Sequence, residues 1–554
     1  MSEQAMLGDD ERTSWFLTVD ERGNPSTRLG SGHGSGRQGR VAWTRGNRAR
    51  PLIHGATYFS VLYERIEATG SGDLILFTDW QGDADERLTG QPGSELVEVL
   101  GRALDRGVDV RALVWRSHSR LLGYSTESHH RLGELLQERG ADIQLDMRVR
   151  PGGAHHQKFL VIRHAADSTR DVAFVGGIDL CHGRRDDARH LGDPQADPIA
   201  SEYGERPPWH DVQLELTGPV VYDVETVFRE RWEDTGPRTR NPVRRLQDRL
   251  RGLDEPRRPL PPQQPAPPAT DHDHAVQLLR TYPALGVGWS YDFAPAGERS
   301  VARGYTKALE RARDLIYLED QFLWGRETST MLVKALRDHP GLHLIAVLPR
   351  VPDQDGWFAR DPQTLGRIQA VRRVIETAPD RVAIYAPENH AGTPVYVHAK
   401  VCVIDDRWAT IGSDNFCRRS WTNDSELSAA VVDLGSLDRT GYPRQLRLTL
   451  AAEHLDRIDP DRPIDPDEPA EDALIEAMTD CVDARGMFET VAAAADALDE
   501  WHAAGQAGPR PPGRLRLLPL PSLPPPRQVI AAPSYRFLHD PDGRPWRMRR
   551  RHAY

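Results

Sequence analysis

Lysine is nearly absent from this 554-residue sequence. Only four lysines occur among 71 basic residues, at Lys158, Lys307, Lys334 and Lys400, and the remaining 67 are arginines. Such usage is typical of a GC-rich genome, where arginine accumulates wherever either residue is tolerated. A lysine that persists in such a chain is therefore expected where a compact ammonium group is needed in place of a planar guanidinium.

Cysteines and long apolar runs are also scarce. The four cysteines, Cys181, Cys402, Cys417 and Cys481, form no CxxC pair, which favours free thiols in a reducing compartment over disulfides or a zinc site. No run of eighteen apolar residues occurs, so no membrane-spanning helix is expected. The acidic start MSEQAMLGDDERTSWF lacks the order of a secretory signal. These absences predict a cytoplasmic protein, with peripheral membrane contact left open.

The charge balance argues against one large class of partners. The net charge is -11 at pH 7, whereas general nucleic-acid binding requires a basic surface, so no nucleic-acid partner is expected. A hydrophobic fraction of 38% and a mean hydropathy of -0.58 fit a globular protein with polar, proline-rich connecting segments. A chain of this length is expected to form two large lobes or several smaller domains.

Changes in composition predict where these units begin and end. Glycine, serine and arginine dominate the start, proline dominates two later stretches, and helix-period alanines and leucines precede the last of them. We therefore divide the chain into a mobile arm (1–40), a first lobe (41–255), a proline-rich linker (256–272), a second lobe (273–445), a helical extension (446–507) and a proline-rich, basic tail (508–554).

The two lobes repeat one another in sequence. Four strand-like segments of the first half recur in the same order in the second, so that residue 107 corresponds to 341 and residue 156 to 398. The pairs are GDLILFTDW with RDLIYLEDQ, GVDVRALVWR with GLHLIAVLPR, HQKFLVI with HAKVCVI, and VAFVGGIDL with WATIGSDNF. Because helical stretches separate these segments, we predict a duplicated α/β lobe, each copy a mixed β-sheet flanked by helices.

Each copy places a histidine and a lysine two residues apart at the entrance to a strand. The pairs are His156 with Lys158 and His398 with Lys400. Alternate residues of a strand face the same side, so each pair directs an imidazole and an ammonium group into one space. If the lobes pack about a pseudo-twofold axis, both pairs converge on one pocket at the lobe interface.

Two imidazoles and two ammonium groups around one pocket suit a phosphate diester. The lysines would neutralise the non-bridging oxygens, while one histidine attacks phosphorus and the other protonates the departing oxygen. The reference pKa of histidine, about 6.5, makes both protonation states accessible near neutrality. This scheme requires no metal and no cofactor.

The sequences around both pairs resemble a known family. HAKVCVIDD followed by IGSDNFCRRSWTNDSEL resembles the HxKxxxxD, GSxN and DSE signature of the phospholipase D superfamily, and HHQKFLVI with AFVGGIDLCHGRRDD resembles the first signature of its eukaryotic-type members. The resemblance covers roughly residues 50–430. It implies two α/β lobes with the active site at their junction, a reaction on phosphatidyl lipids, His156 as nucleophile and His398 as general acid.

The resemblance also implies a carboxylate that orients a histidine downstream of each motif. Glu426 in NDSEL matches that position in the second copy. In the first copy Asp186 matches the acidic residue of the GRxD segment, with Asp187 as second choice.

Four further residues are expected to line the phosphate site. Glycine permits close approach of the backbone, and the matching positions of the two copies carry Ser413 and Asn415 in one, and Gly177 and Asp179 in the other.

One position departs from the family pattern. Asp405 occupies the place of the structural aspartate in the second motif, whereas the first motif has Arg163 there. Asp167 or Asp171 could replace the missing carboxylate. The alternative is a first half that has lost its original chemistry.

The expected partners are a phospholipid at a membrane or micelle surface and a water or alcohol acceptor, bound by a monomer. The favoured reaction is hydrolysis of glycerophospholipids to phosphatidic acid and free headgroup through a phosphohistidine, with transfer to alcohols as an extension. Three alternatives stay open: a phosphatidyltransferase of the cardiolipin synthase type, although that group usually has amino-terminal membrane helices; a nuclease, which favours a basic groove; and an inactive lipid-binding relative, towards which Arg163 points.

Overall fold

A computed structural model gives the fold of residues 14–31, 42–117, 126–236, 246, 249, 258–286, 288–433, 441–459, 471–520, 522–551 and 553–554. Strands from both halves of the chain join in one sixteen-stranded sheet, and helices cover its faces. None of the helices in these ranges is long and apolar enough to cross a membrane.

The first lobe contains α1 and the elements around the first motif. Its bounds are α1 Val19–Arg22, β1 Thr44–Ile53, α2 Gly55–Glu67, β2 Leu74–Asp79, α3 Leu96–Asp105, β3 Asp109–Trp115, α4 Thr126–Glu138, β4 Asp142–Asp146, β5 Phe159–Arg163, β6 Val172–Gly176, β7 Trp209–His210, β8 Val212–Thr217 and α5 Val220–Glu233.

The second lobe and the carboxyl-terminal segments follow. Their bounds are β9 His274–Tyr282, β10 Glu298–Arg299, α6 Ser300–Leu309, β11 Leu315–Asp320, α7 Arg326–Asp338, β12 His343–Val347, α8 Trp357–Thr377, β13 Val382–Pro387, β14 Tyr396–Val397, β15 Lys400–Ile404, β16 Trp408–Gly412, α9 Arg418–Thr422, β17 Glu426–Val432, α10 Tyr442–His454, α11 Glu471–Ala477, α12 Ala484–Ala503, β18 Leu515–Leu517, α13 Pro525–Ser534 and α14 Trp546–Arg550.

The strand order confirms the predicted duplication. Lobe 1 runs β4-β3-β2-β5-β6-β8-β1, and lobe 2 runs β13-β12-β11-β15-β16-β17-β9. The two series meet where β1 pairs with β9 in antiparallel orientation, so the strand orders of the two lobes mirror each other about this pair, and β18 extends lobe 2 alone. Within each lobe three strands are parallel and the motif strand is antiparallel to its neighbours.

The central strands are apolar because both of their faces are covered. Every residue of β2 (LILFTD) and β11 (LIYLED) is buried, as expected of strands in a sheet that carries helices on both sides. Separate apolar cores form under the outer helices of each lobe, and a further core contains residues of both lobes together with α5 and α10. This shared core fixes the lobes against each other.

Two short backbone pairings cross the lobe boundary near the motifs. β7 pairs in parallel with β14, and an isolated bridge joins His155 to Ser425. The residue after β7 is Asp211 and the residue after β14 is His398, while His156 and Glu426 follow the two bridge residues. The fold therefore brings each motif histidine next to an acidic residue of the other lobe.

The amino-terminal arm was predicted to be mobile, and for residues 14–31 this prediction is wrong. Trp15, Phe16 and Leu17 are buried in the core of lobe 2. Arg22 donates to the carbonyl oxygen of Leu278 at 2.6 Å and forms an ion pair of 2.9 Å with Glu298. Trp15, Phe16 and Leu17 are buried because exposing three large apolar side chains to water is unfavourable. Residues 1–13 and 32–41 lie outside the described residues.

The carboxyl-terminal tail is likewise part of lobe 2. Strand β18 pairs with β13, and α13 with the π-helical turn Tyr535–His539 packs on α8. Helices α11 and α12 fall within the predicted helical extension, and α10 begins at Tyr442, four residues before it. Residues 258–272 of the predicted linker form neither helix nor strand.

Arg163 has a structural role in lobe 1. Its side chain is fully buried, with Nε 2.8 Å from Asp171, Nη1 bonded to Glu225 and Nη2 donating to the carbonyl oxygen of Pro265 at 2.7 Å. In lobe 2, Asp405 instead accepts hydrogen bonds from three backbone N–H groups, those of residues 313 to 315. Both residues stabilise the end of a motif strand. Arg163 does so by pairing with two carboxylates at the end of β5, and Asp405 by accepting backbone hydrogen bonds just after β15.

Replacing Arg163 should therefore destabilise the fold. Arg163→Leu leaves the buried Asp171 without its arginine and leaves Glu225 with Arg229 alone, a change that costs about 3–5 kcal/mol. Arg163→Asp, which restores the family residue, should be worse because it adds a third carboxylate. Urea unfolding followed by tryptophan fluorescence measures the effect, with the exposed Arg485→Leu as control. An unchanged unfolding midpoint for Arg163→Leu would contradict this assignment.

Candidate active site

His156 is held by a carboxylate of the other lobe. Its Nδ1 lies 2.9 Å from Oε2 of Glu426, and its backbone N–H donates to the carbonyl oxygen of Ser425 at 2.9 Å. The same Glu426 oxygen accepts a hydrogen bond of 2.6 Å from Ser413. Because Nδ1 is engaged, Nε2 is the nitrogen left for chemistry.

His398 is held in the equivalent way from lobe 1. Its Nδ1 lies 2.6 Å from Oδ2 of Asp211, and its backbone N–H donates to the carbonyl oxygen of His210 at 2.8 Å. Burial raises the pKa of Asp211, and the nearby Lys400 ammonium opposes that rise. Gly177 packs so closely that a Cβ there would lie 2.3 Å from Asp211 Oδ1, so only glycine leaves room for this carboxylate.

The prediction that Asp186 orients a histidine of the site is wrong. Its carboxylate accepts backbone N–H groups from Trp209 at 2.8 Å and from Gly192 at 3.1 Å, and so holds the loop that leads to Asp211. Asp187, the second choice, caps a turn by accepting the N–H of Arg189. The sequence WHDVQLEL could have pointed to Asp211. This residue directly precedes the buried strand β8, much as Glu426 is the first residue of the buried strand β17.

Each motif lysine contacts the histidine of its own motif. Lys158 is buried, pairs with Asp179 at 3.4 Å and donates to the carbonyl oxygen of His156 at 3.0 Å. Lys400 donates to the carbonyl oxygen of His398, and burial lowers its pKa to about 8. The charge of Lys158 also lowers the pKa of Lys400 and of His398, so the cations of both copies act on one space.

Burial holds the pKa of His398 well below its usual range, and the charges of Lys400 and Arg184 lower it further. The imidazole is therefore neutral at pH 7 in the free protein. A bound anion would offset those cations and make the protonated form accessible again.

Two equivalent aspartates hold the loops that follow β6 and β16. Asp79 Oδ2 accepts the N–H of Leu180 at 2.9 Å, and Asp320 Oδ2 accepts the N–H of Phe416 at 2.7 Å. Burial and then the charge of Asp179 hold the pKa of Asp79 well above its ordinary value.

The residues expected to line a phosphate site have different environments. Asp179 forms the ion pair with Lys158, Ser413 orients Glu426, and Gly177 makes room for Asp211. The buried Oδ1 of Asn415 has no hydrogen-bond partner within the described ranges, so this amide is available to a ligand.

Aromatic rings form the walls beside the two imidazoles. The Trp80 ring lies 6.1 Å from that of His156 and receives the Lys158 ammonium at 5.7 Å. The Trp209 ring lies 5.1 Å from that of His398, with the Arg184 guanidinium stacked over it at 4.0 Å. These rings exclude water and strengthen the local electrostatics. Three cations and two oriented imidazoles can bind a phosphate group and exchange protons with it.

Phosphate binding should depend on both motif lysines. Lys158→Met or Lys400→Met should weaken binding of inorganic phosphate about tenfold or more, because a hydrogen bond to a charged group contributes about 1.5–3 kcal/mol. Isothermal titration calorimetry measures the affinity, and Lys334→Met, which changes an exposed lysine, is the matched control. Equal affinities for all three variants would show that these ammonium groups do not face a common anion site.

Comparison with known proteins places this site in a family. A family model described as "Phospholipase D" matches residues 70–348, and one described as "Cardiolipin synthase, PLD-like domain" matches residues 363–437. Phospholipase D alpha 1 of Cynara cardunculus is 24% identical, with 67% of this chain and 60% of that protein aligned. Phospholipase D alpha 1 of Vigna unguiculata is 25% identical, with 70% and 62% aligned.

This chain thus spans about 60% of the length of those plant relatives. Among solved structures, phosphatidylserine synthase of Haemophilus influenzae is similar with a TM-score of 0.48 and 14% identity, over 70% of this chain and 82% of that one. The first model covers half of the sequence and includes the first histidine–lysine motif, and the duplicated lobes repeat that motif at their junction. The chain belongs to the phospholipase D superfamily.

Proposed function

We propose that this protein is a phosphodiesterase that hydrolyses glycerophospholipids to phosphatidic acid and a free headgroup. The observation that supports this most is the pair of imidazoles, each fixed at Nδ1 by a carboxylate of the opposite lobe, with Lys158 acting on His398 and Lys400. Family membership supports the same reaction class.

In the first step, Nε2 of His156 attacks phosphorus and the bond from phosphorus to the headgroup oxygen breaks. His398, protonated in the substrate complex, gives its Nε2 proton to that oxygen, so the headgroup leaves as a neutral alcohol. The phosphatidyl group remains on His156 as a phosphohistidine. Glu426 stabilises the positive charge that develops on the His156 ring.

In the second step the roles of His398 reverse. Its imidazole, now neutral, accepts a proton from a water molecule as the water oxygen attacks phosphorus, and the bond from phosphorus to His156 breaks. Phosphatidic acid leaves, and His398 is protonated again. The low pKa of His398 in the free protein suits the base role, and the anionic substrate supplies the charge needed for the acid role.

Transfer to a lipid alcohol is the second candidate. The match of residues 363–437 to the cardiolipin synthase model favours it, and it differs only in the nucleophile of the second step. Phosphatidylglycerol vesicles separate the candidates: both reactions release glycerol, but hydrolysis leaves phosphatidic acid, whereas transfer to a second phosphatidylglycerol yields cardiolipin.

The active-site rim carries a surface suited to a bilayer. Arg419 donates to the carbonyl oxygens of Leu538 and Gly152 and pairs with Asp424, and so ties the π-helical turn to the approaches of both motifs. In that turn the side chains of Phe537 and Leu538 are 68% and 54% exposed.

Arginines stack on two exposed aromatic rings of the carboxyl-terminal segment. Arg536 stacks on Phe537, and Arg550 stacks on Trp546, which is 60% exposed. Exposed aromatics interleaved with arginines insert into the headgroup region of anionic membranes. We therefore propose that the protein binds a membrane surface at this rim.

The phosphohistidine is the direct test of the proposed chemistry. With a phosphatidyl ester of a good leaving group such as p-nitrophenol, His398→Ala should accumulate an acid-labile phosphohistidine at His156, because no acid is needed to expel the phenolate and no base is left for the second step. His156→Ala should abolish turnover. Tandem mass spectrometry locates the adduct. An adduct on His398 in the wild type, or none on any histidine, would overturn the mechanism.

The protonation of His398 provides a second test. In ¹⁵N-histidine spectra the signal of this ring, assigned with His398→Gln, should report a neutral imidazole at pH 7. Bound phosphate should raise its pKa, since the anion offsets Lys400 and Arg184. Lys400→Met should raise it as well. A pKa that neither change moves would contradict the electrostatic account of the site.

Vesicle sedimentation tests the membrane surface. The double variant Phe537→Ser with Leu538→Ser should bind phosphatidylglycerol-containing vesicles about tenfold or more weakly, because two apolar side chains no longer leave water. Its turnover of a monomeric short-chain lipid should stay unchanged. Leu520→Ser, another exposed leucine, is the control. If the double variant binds vesicles as the control does, the surface lies elsewhere.

A further inference from the structure

Three histidines of lobe 1 and a glutamate of α10 meet behind Asp211. They are His54 at the end of β1, His190 in the loop after β6, His210 in β7, and Glu453. All four side chains are buried, and one ligand atom of each lies within 4.8 Å of every other. The reaction proposed above uses none of these groups.

We propose that these four side chains bind one divalent transition-metal ion, and that zinc suits them best. Three imidazole nitrogens and one carboxylate oxygen form a ligand set that Zn²⁺ accepts in tetrahedral geometry. Calcium and magnesium prefer oxygen ligands and are disfavoured here. A site in which the protein supplies all four ligands is structural rather than catalytic.

The carboxylate of Glu453 lies at the centre of the cluster. Its Oε2 is 2.7 Å from Nε2 of His54, and its Oε1 is 2.9 Å from Nε2 of His190 and 3.8 Å from Nδ1 of His210. Ligand atoms around a tetrahedral zinc lie about 3.3–3.5 Å apart, given zinc–nitrogen distances of about 2.0–2.1 Å. The ligand atoms of the cluster lie within 4.8 Å of one another, so adjustment of the side chains would bring all four to one ion.

Hydrogen bonds to the far ring nitrogens direct two lone pairs into the cluster. His190 Nδ1 donates to the carbonyl oxygen of Trp209 at 3.1 Å, so in the neutral ring Nε2 carries the lone pair that a metal ion would bind. His210 Nε2 donates to Glu319 at 2.6 Å, which leaves Nδ1 as an acceptor. A carboxylate or carbonyl behind each ring is the outer shell that orients zinc-binding histidines.

The ring nitrogen of His210 that faces the cluster lacks a hydrogen-bond partner among the described residues. Its Nδ1 is buried and makes no hydrogen bond within the described part of the chain, although Glu453 lies 3.8 Å away. Glu319 is itself fixed by His454 at 2.9 Å and by Tyr317 at 2.5 Å, so the ring of His210 is not free to turn to another partner. A buried ring nitrogen with an unused lone pair is unfavourable, and a metal ion would satisfy it.

The backbone at two of these histidines is also unusual. His54 has φ 68° and His190 has φ 52°, in the left-handed region that residues other than glycine seldom adopt. Such conformations persist only where surrounding interactions hold them. Bonds from both side chains to one ion would provide that hold.

The ion would join lobe 1 to helix α10 and would hold the peptide of His210, which contacts the active site. His210 precedes Asp211, and its carbonyl oxygen accepts the backbone N–H of His398. Through this peptide the cluster acts as a positioning element, and it touches neither substrate nor the reacting atoms. Without an ion, Glu453 forms buried hydrogen bonds with both His54 and His190.

Metal binding by the full-length protein tests the proposal. After dialysis against a chelator, the protein should take up about one equivalent of Zn²⁺ by plasma mass spectrometry. Zinc should raise the melting temperature, and Co²⁺ should produce the visible absorption of a tetrahedral site. His54→Gln and Glu453→Gln should lose this binding, whereas His339→Gln, a histidine outside the cluster, should retain it.

The wild-type titration decides the matter even if a variant fails to fold. A stripped, folded wild-type protein that takes up no zinc and shows neither a melting shift nor cobalt absorption overturns the proposal. Uptake that persists in both folded variants overturns it too, since the ion would then bind elsewhere. None of these readouts uses a lipid, so their failure leaves the proposed phosphodiesterase function unaffected.

Discussion

The hydrogen bonds that cross the lobe boundary are the constraint on which the active site depends. Glu426 of lobe 2 holds His156, and Asp211 of lobe 1 holds His398. Neither lobe alone can orient its own histidine, so the reactive geometry exists only when the lobes are packed together. The central pairing of β1 with β9 and the shared apolar core maintain that packing. A local motif thus becomes functional through tertiary structure.

Burial gives the site its electrostatic character. Lys158 and Lys400 are withdrawn from water, and each faces a carboxylate and the cation of the other copy. A buried charge is costly unless it is paired and hydrogen-bonded, so a bound phosphate anion would stabilise the two buried ammonium groups. The neutral state of His398 in the free protein follows from the same burial and cations.

Much of the site could be predicted from sequence, because duplication placed its chemistry at matched positions. The repeated strands pointed to His156, Lys158, His398 and Lys400, and the family resemblance pointed to Glu426, which the structure places against His156. The carboxylate partner of His398 could not be found in this way. A long loop separates the first glycine-rich strand from WHDVQLEL, and the match to the family's GRxD segment pointed to Asp186 within that loop instead of Asp211 after it. Composition also gave the wrong prediction for residues 14–31, where three apolar side chains outweigh a polar surrounding sequence.

The claim that both imidazoles address one phosphorus atom is tested most directly by a crystal structure with vanadate, which adopts the trigonal bipyramid of a phosphoryl-transfer transition state. The account predicts vanadium bonded to Nε2 of His156, with Nε2 of His398 within about 3.5 Å of the opposite apical oxygen and both motif lysines on the equatorial oxygens. Vanadate bound to one histidine alone, with the second imidazole directed away from it, would contradict the account.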